Sequence, residues 1–399
     1  MTYGKDTVCS ICHGEIGPDI NGRIMCYGCG PDDLLPPERR NRRPAQSVRP
    51  ATMKALVYRG PGKRRLEERP RPVLQSPSDA IVRILCTTIC GTDLHILKGE
   101  VPEVAEGRIL GHEGVGVIEE AGAGVTGFKR GDRVLVSCIT SCGKCGNCKR
   151  GMYSHCESGG GWILGHLIDG TQAEYVRVPF ADNSLHHVPR GVDEDALALL
   201  SDIFPTGFEC GVESGAVKPG DTVAIVGAGP IGLAALLTAQ FHSPAEVILI
   251  DVDENRLEVA KSFGATALVN ARGEEAAAQV LRHTGGRGVD VAIEAVGVPE
   301  TFELCEEIVA AGGHIANVGV HGKPATLRLE KLWAHNITIT TRLVDTVTTP
   351  MLLKTVQSGK LQPRKLVTHT FRFDQLEEAY ETFSNAASNK ALKVLIKNG

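Results

Sequence analysis

The stretch TVAIVGAGPIGLAALLTAQF, residues 222–241, decides the fold. Thr222 to Val226 read as a strand, and IGLAALLTAQF reads as the helix that follows it. Between them stands Gly227-Ala228-Gly229-Pro230-Ile231-Gly232. Glycines there permit a tight turn, let the backbone approach a pyrophosphate and let the helix pack closely on the sheet. The next apolar run, EVILID at 246–251, ends in Asp251, nineteen residues beyond Gly232. An acid at that strand end can accept ribose hydroxyls and repels a 2′-phosphate, so NAD is expected over NADP. Arg256 pulls the other way, since an arginine can serve a 2′-phosphate. A Gly-rich turn in a nucleotide-free sheet is the plainer alternative.

From Thr222 to Ala245 there is no Asp, Glu, Lys or Arg. That length alone would permit a membrane span. Gly227, Gly229, Pro230 and Gly232 near its start fit strand, loop and helix instead. Downstream the alternation continues: ENRLEVAKSFG as helix, VDVAIEAVG as strand, ETFELCEEIVAA as helix and GHIANVGV as strand. Strands alternating with helices predict a doubly wound parallel sheet of the Rossmann type. Upstream, from Met53 to about 203, short apolar runs such as AIVRILCTTIC and GVGVIEEAG alternate with Gly-rich turns, which predicts a β-rich domain. The C-terminal FDQLEEAYETFSNAASNKALKVLIK reads as a helix and a short apolar strand.

The 399-residue chain is 42% hydrophobic and 23% charged with a net charge of −4, enough for sizeable cores in two or three domains. No bulk basic field exists to hold a nucleic acid or an anionic membrane. The first residues carry no apolar core of a secretory signal, so a cytoplasmic protein is expected. Its thirteen cysteines then point to metal rather than disulfides. Cys142, Cys145, Cys148 and Cys156 stand within fifteen residues, which suits a closed tetrahedral zinc. An iron–sulfur run would want three residues before its fourth cysteine and a proline after it; here seven intervene and Glu157 follows. Cys86, Cys138, Cys210 and Cys305 read as small buried hydrophobes.

A further set is dispersed. Cys90 begins CGTDLH at 90–95, His112 sits in GHEG at 111–114, and Asp202 lies in LLSDIFPTGFEC. One thiolate, one imidazole and one carboxylate suit a three-ligand zinc with an open fourth position, but spacing alone does not select them.

At these motifs, together with GHEGVGVIEEAGAGV at 111–125, GDRV at 131–134, the four-Cys segment and GAGPIG at 227–232, residues 53–399 resemble the zinc-dependent medium-chain alcohol dehydrogenases. The resemblance implies a GroES-like catalytic domain, 53–203 completed by 343–399 with a structural-zinc lobe at 138–160, and a Rossmann NAD-binding domain, 204–342. It implies that Cys90, His112 and Asp202 bind the catalytic zinc, that Glu113 can approach the metal, and that Asp93 orients the His112 imidazole. Thr206 would pack by the nicotinamide and Lys393 would serve the pyrophosphate. The implied reaction is reversible oxidation of a primary or secondary alcohol, with the proton leaving through Thr92 and then His95. Trp162 and Leu164 resemble a pocket-lining stretch, although Trp162 reads equally well as a core residue. A homodimer or homotetramer is implied, with NITITTRLV at 336–344 as the joining edge. A polyol or L-threonine dehydrogenase shares the CGTDLH and four-Cys patterns.

Residues 1–35 fall outside the resemblance. Cys9, Cys12, Cys26 and Cys29 have paired zinc-knuckle spacing, predicting a small zinc-ribbon-like unit with a third zinc. Cys9-Ser-Ile-Cys12-His13 also matches a c-type haem site, and an unmetallated tail or an upstream start is the plainer alternative. Residues 36–52 read as a Pro- and Arg-rich linker, which with the ribbon would suit a partner or nucleic acid as an added role.

Overall fold

The computed structural model describes residues 51–398 and, ahead of them, two short strands, β1 (Ile16–Pro18) and β2 (Ile24–Cys26), paired antiparallel. Cys9, Cys12 and Cys29 lie outside the described residues, and Cys26 is described only as the end of β2, so the expected third zinc site lies outside them too. The chain divides into two compact units, Met1–Ala51 and Thr52–Gly399.

The second unit opens with an antiparallel pair, β3 (Thr52–Tyr58) and β4 (Arg64–Pro70). There follow β5 (Ala80–Thr88), β6 (Gly114–Ala121), β7 (Arg133–Val136), β8 (Tyr175–Val178) and β9 (Leu185–His187). The chain then enters a six-stranded parallel sheet: β10 (Thr222–Val226), β11 (Glu246–Asp251), β12 (Ala267–Asn270), β13 (Val289–Glu294), β14 (Val309–Asn317) and β15 (Thr338–Thr341). Its order is β12-β11-β10-β13-β14-β15, so the chain reverses its direction of winding beside β10. In such sheets ligands bind at that switch, outside the carboxyl ends of the strands. All five β10 residues are buried, as expected for a central strand covered on both faces.

The chain finally returns to the first sheet through β16 (Val367–Arg372) and β17 (Lys393–Lys397). That sheet runs β16-β17-β5-β6-β7-β9, with β8 also paired to β5. The last strand therefore lies against β5, whose end delivers Cys90.

Several elements went unread in the sequence, among them β12, a strand of only four residues, the helix Gly273–His283 that follows it, the helix Thr349–Gln357 and β16. One boundary moves. The helix expected through ETFELCEEIVAA stops at Ile308, and Val309 starts β14 in an extended conformation. β-branched Val309 favours the strand, and the Gly312-Gly313 pair disfavours continuing the helix. No helix among the described residues is long and apolar enough to cross a membrane.

Candidate active site and metal centres

The glycines of the β10 turn fill the roles that their spacing predicts. Gly227 has φ of +104°, open to glycine at little cost. A Cβ on Gly232 would stand 1.8 Å from the Gly227 carbonyl oxygen, so any side chain would push the helix Pro230–Ala239 off the sheet. Around Gly229 a Cβ would meet nothing within 4 Å. Pro230 begins the helix, where its missing N–H costs nothing. Gly227, Gly229, Asp251 and Arg256 line one groove of about 370 Å³ together with Arg272 and Thr301. Asp251 already accepts three backbone bonds, from Ala228 N at 2.7 Å, Val252 N at 2.7 Å and Asp253 N at 2.9 Å. It thus pins the glycine turn to the end of β11; Oδ1 is filled by two of these bonds, while Oδ2, with one, keeps room for a ribose hydroxyl. Arg256 leans towards Asp253 at 3.8 Å.

Cys90 precedes the short helix Gly91–Leu97. Asp93 closes its first turn by accepting the Cys90 N–H at 3.0 Å. His112 lies just before β6, and Asp202 follows a buried Leu-rich turn. These three residues come together: Cys90 Sγ is 3.5 Å and His112 Nε2 is 3.3 Å from Asp202 Oδ2. One donor atom from each lies within 4.8 Å of the others. Burial alone would raise the Asp202 carboxyl, but the His112 imidazole and the Thr206 hydroxyl at 2.7 Å hold it well below the usual carboxylate range. Asp202 makes no side-chain cap bond to the turn Ile203–Pro205 that it precedes, so it does not act as a helix cap. A buried thiol, imidazole and carboxylate converging on one point fit a tetrahedral zinc with an open position.

The four-Cys set fits its metal as well. All four sulfurs lie within 4.8 Å of one another, and Cys142 Sγ and Cys148 Sγ are 3.9 Å apart. A tetrahedron of zinc–sulfur bonds has edges of about 3.8 Å. Backbone N–H groups of Lys144, Cys145, Cys148 and Glu157 point at these sulfurs at 3.4 Å, as they would at thiolates. Burial pushes the Cys142 thiol up, but the Ser158 hydroxyl and the Lys144 and Cys145 amides bring it down to about 6.

Three positions depart from expectation. Lys393 does not face the cofactor groove. It is buried in β17, where its ammonium donates to Thr88 Oγ1 at 3.0 Å, to the Ile89 carbonyl at 3.1 Å and to Glu113. Antiparallel pairing of β17 with β5 puts it there, a register that no local pattern reveals. Glu113 is accordingly not among the converging ligands. One carboxylate oxygen is held by Lys393 and Thr88, and the other is buried without a partner among the described residues. Asp93 bonds Cys90 and Gln172 Nε2, the latter at 3.0 Å, rather than the His112 imidazole.

Pocket residues sort similarly. Trp162 lines a cavity of about 130 Å³ with Thr92, His95, His112, Asp202, Ile139, Val320, Leu343 and Val344, and stacks on His166. Leu164 is instead fully buried in the β5–β8 core. A larger cavity of about 580 Å³ carries Cys90, Thr92, His95, Asp202, Thr206 and Ile231. It shares Ala295 and Val296 with the glycine-turn groove, so a dinucleotide can run from Asp251 to Cys90. Two residues escaped the sequence reading. Cys138, taken as a core thiol, reaches Asp202 Oδ1 at 3.7 Å. Glu100 pairs with His95 Nδ1, a contact that only the turn after the helix creates.

Comparison with known proteins agrees with this geometry. Residues 76–190 match the alcohol dehydrogenase GroES-like domain and residues 230–357 the zinc-binding dehydrogenase domain. An alcohol dehydrogenase of Cupriavidus necator is 38% identical over 369 residues, covering 87% of this chain and 99% of that one. The chain belongs to the zinc-dependent medium-chain alcohol dehydrogenase family. A solved structure, zinc dependent alcohol dehydrogenase 2 from Streptococcus pneumonia, superposes with a TM-score of 0.84 at 56% identity. It covers 87% of this chain and 98% of that one. Another relative, the NADP-dependent isopropanol dehydrogenase of Thermoanaerobacter brockii, is 36% identical over 79% of this chain and 90% of its own.

Proposed function

We propose that the chain interconverts small apolar primary or secondary alcohols with their aldehydes or ketones, using NAD, at the site formed by Cys90, His112 and Asp202. The observation that carries this reading is the continuity of the two cavities: the converging ligands stand at one end and the Asp251 groove at the other. Zinc bound by these ligands would lower the pKa of an alcohol oxygen, and NAD in the groove would supply the hydride acceptor. Thr92 is the first hydroxyl beside Cys90, 3.7 Å from its sulfur, and takes the alcohol proton. His95, three residues on and partly exposed, passes it to solvent while Glu100 holds its Nδ1. Thr206 hydrogen-bonds Asp202 and borders the nicotinamide end of the cavity.

Trp162, Ile139, Val320, Leu343 and Val344 give the inner pocket an apolar wall, which favours apolar alcohols over polyols. Steady-state rates on a panel of primary, secondary, aromatic and polyol substrates test this. Apolar alcohols should show the higher kcat/KM, and a preference for polyols would transfer the chain to the polyol dehydrogenase reading.

The acid at the end of β11 supports NAD over NADP. Asp251→Gly should narrow the NAD/NADP preference about tenfold or more, the scale of a lost charged hydrogen bond. Kd values for both coenzymes measured on wild type and variant decide it, and a wild-type preference for NADP would contradict the reading.

Strand β15 ends its sheet, and Leu329 and Trp333 beside it are exposed. An uncharged edge with exposed apolar neighbours suits pairing with a second copy. A homodimer is the minimum expected assembly, and a homotetramer fits an enzyme of this kind. Light scattering at micromolar concentration should show no stable monomer.

A further inference from the structure

We propose that Glu209 and Asp345 are positioning residues that set the wall of the alcohol pocket and tie it to the four-Cys lobe. This rests on the alcohol dehydrogenase reading above.

Thr341, Arg342, Leu343 and Val344 line the larger cavity together with Cys90, Thr92 and His95. Leu343 and Val344 also face Trp162 in the inner pocket. The chain here has just left β15 and is crossing back towards the first sheet. Only Thr338–Thr341 is held by strand pairing, so the residues beyond need other partners.

Glu209 supplies them. It is fully buried in the π-helical segment Thr206–Glu213, seven residues after Asp202. One carboxylate oxygen accepts the N–H of Asp345 at 2.9 Å and of Thr346 at 3.1 Å. The other accepts Thr348 N at 2.9 Å and Thr348 Oγ1 at 2.8 Å. Four donors saturate one carboxylate, which also faces the Arg342 guanidinium at 3.7 Å. The clamp holds Thr346 at φ of +61°, a left-handed conformation that a β-branched residue adopts only under constraint. The same Thr346 hydroxyl meets Ser137 Oγ at 2.8 Å, next to Cys138.

Asp345 carries the link outward. Its Oδ1 accepts Ser154 N at 2.9 Å and Ser154 Oγ at 2.6 Å. Ser154 lies between Cys148 and Cys156. Its Oδ2 accepts Arg342 Nη2 at 3.0 Å. One continuous set of charged hydrogen bonds thus runs from the four-Cys lobe, through the pocket wall, to the segment that begins with Asp202. The lobe thereby acts on substrate selection from a distance.

Glu209→Gln replaces an acceptor oxygen with an NH₂ group facing backbone N–H donors. Ser154→Ala removes only the hydroxyl bond at the lobe end. In both variants KM for a bulky alcohol such as benzyl alcohol should rise more than KM for ethanol, about fivefold or more in Glu209→Gln and about twofold in Ser154→Ala. Zinc content should stay at the wild-type level. A merely structural role would lower Tm and leave the ratio of the two KM values unchanged at the assay temperature. Hydrogen exchange gives a readout free of activity: the amides of Asp345, Thr346 and Thr348 should exchange faster in Glu209→Gln. Should Glu209→Gln fail to fold, Ser154→Ala decides. An unchanged KM ratio in a folded variant, or unchanged exchange at these amides, overturns the proposal. Wild type that oxidises neither alcohol refutes the alcohol dehydrogenase reading instead, and the exchange result still judges the clamp.

Discussion

Asp202→Asn should empty one metal site and leave the other full. Elemental analysis should show the variant short of one zinc per chain while the four cysteines keep theirs. Alcohol oxidation should fall by more than the roughly 10–100-fold that outer-shell changes cost, because a metal ligand itself is weakened. The reason lies in the donor set. Asp202 Oδ2 lies 3.5 Å from Cys90 Sγ and 3.3 Å from His112 Nε2, and Asn offers there a neutral, poorer donor. Glu209 is saturated by residues 345–348, and Glu113, held by Lys393 and Thr88 through one oxygen, is not among the converging donor atoms. Since Asp202 caps no helix, the change should cost little in folding. A zinc-replete, fully active Asp202→Asn enzyme would remove Asp202 from the ligand set.

The second large effect concerns the proton. Thr92→Ala should slow alcohol oxidation by roughly 100- to 10,000-fold, or about 3–5 kcal/mol of barrier, the range for loss of a positioned proton acceptor. Zinc content and NAD affinity should stay close to wild type, because Thr92 lines the cavity and is not itself one of the converging ligands, although its hydroxyl stands 3.7 Å from Cys90 Sγ. His95→Ala should act more mildly, since His95 stands partly exposed and water can replace it. Comparing single-turnover rates of the two variants checks the order of the relay. Equal losses, or none at Thr92, would break it.

How much of this was legible depended on whether the signal was local. The parallel sheet was legible from residues 222–251, because periodicity, glycine placement and the acid after β11 all sit within thirty residues. The four-Cys spacing was legible for the same reason. Cys90, His112 and Asp202 span 112 residues and were picked out only by resemblance. What stayed hidden depended on register and crossing. Lys393 meets Glu113 because β17 pairs with β5, and nothing near residue 393 announces that. Glu209 clamps 345–348 across more than 130 residues, although in sequence it is one acid in a Gly-rich helix start. Cys138 reads as a small hydrophobe and is indeed buried, yet burial placed it beside Asp202.

One chain should hold two zinc ions in residues 53–399, one of them open to substrate. Anomalous scattering from crystals of the full chain at the zinc absorption edge tests it directly. One peak should be enclosed by Cys142, Cys145, Cys148 and Cys156 and a second bounded by Cys90 Sγ, a His112 ring nitrogen and an Asp202 oxygen. A map with zinc only in the four-Cys lobe, or with iron in either place, would contradict it.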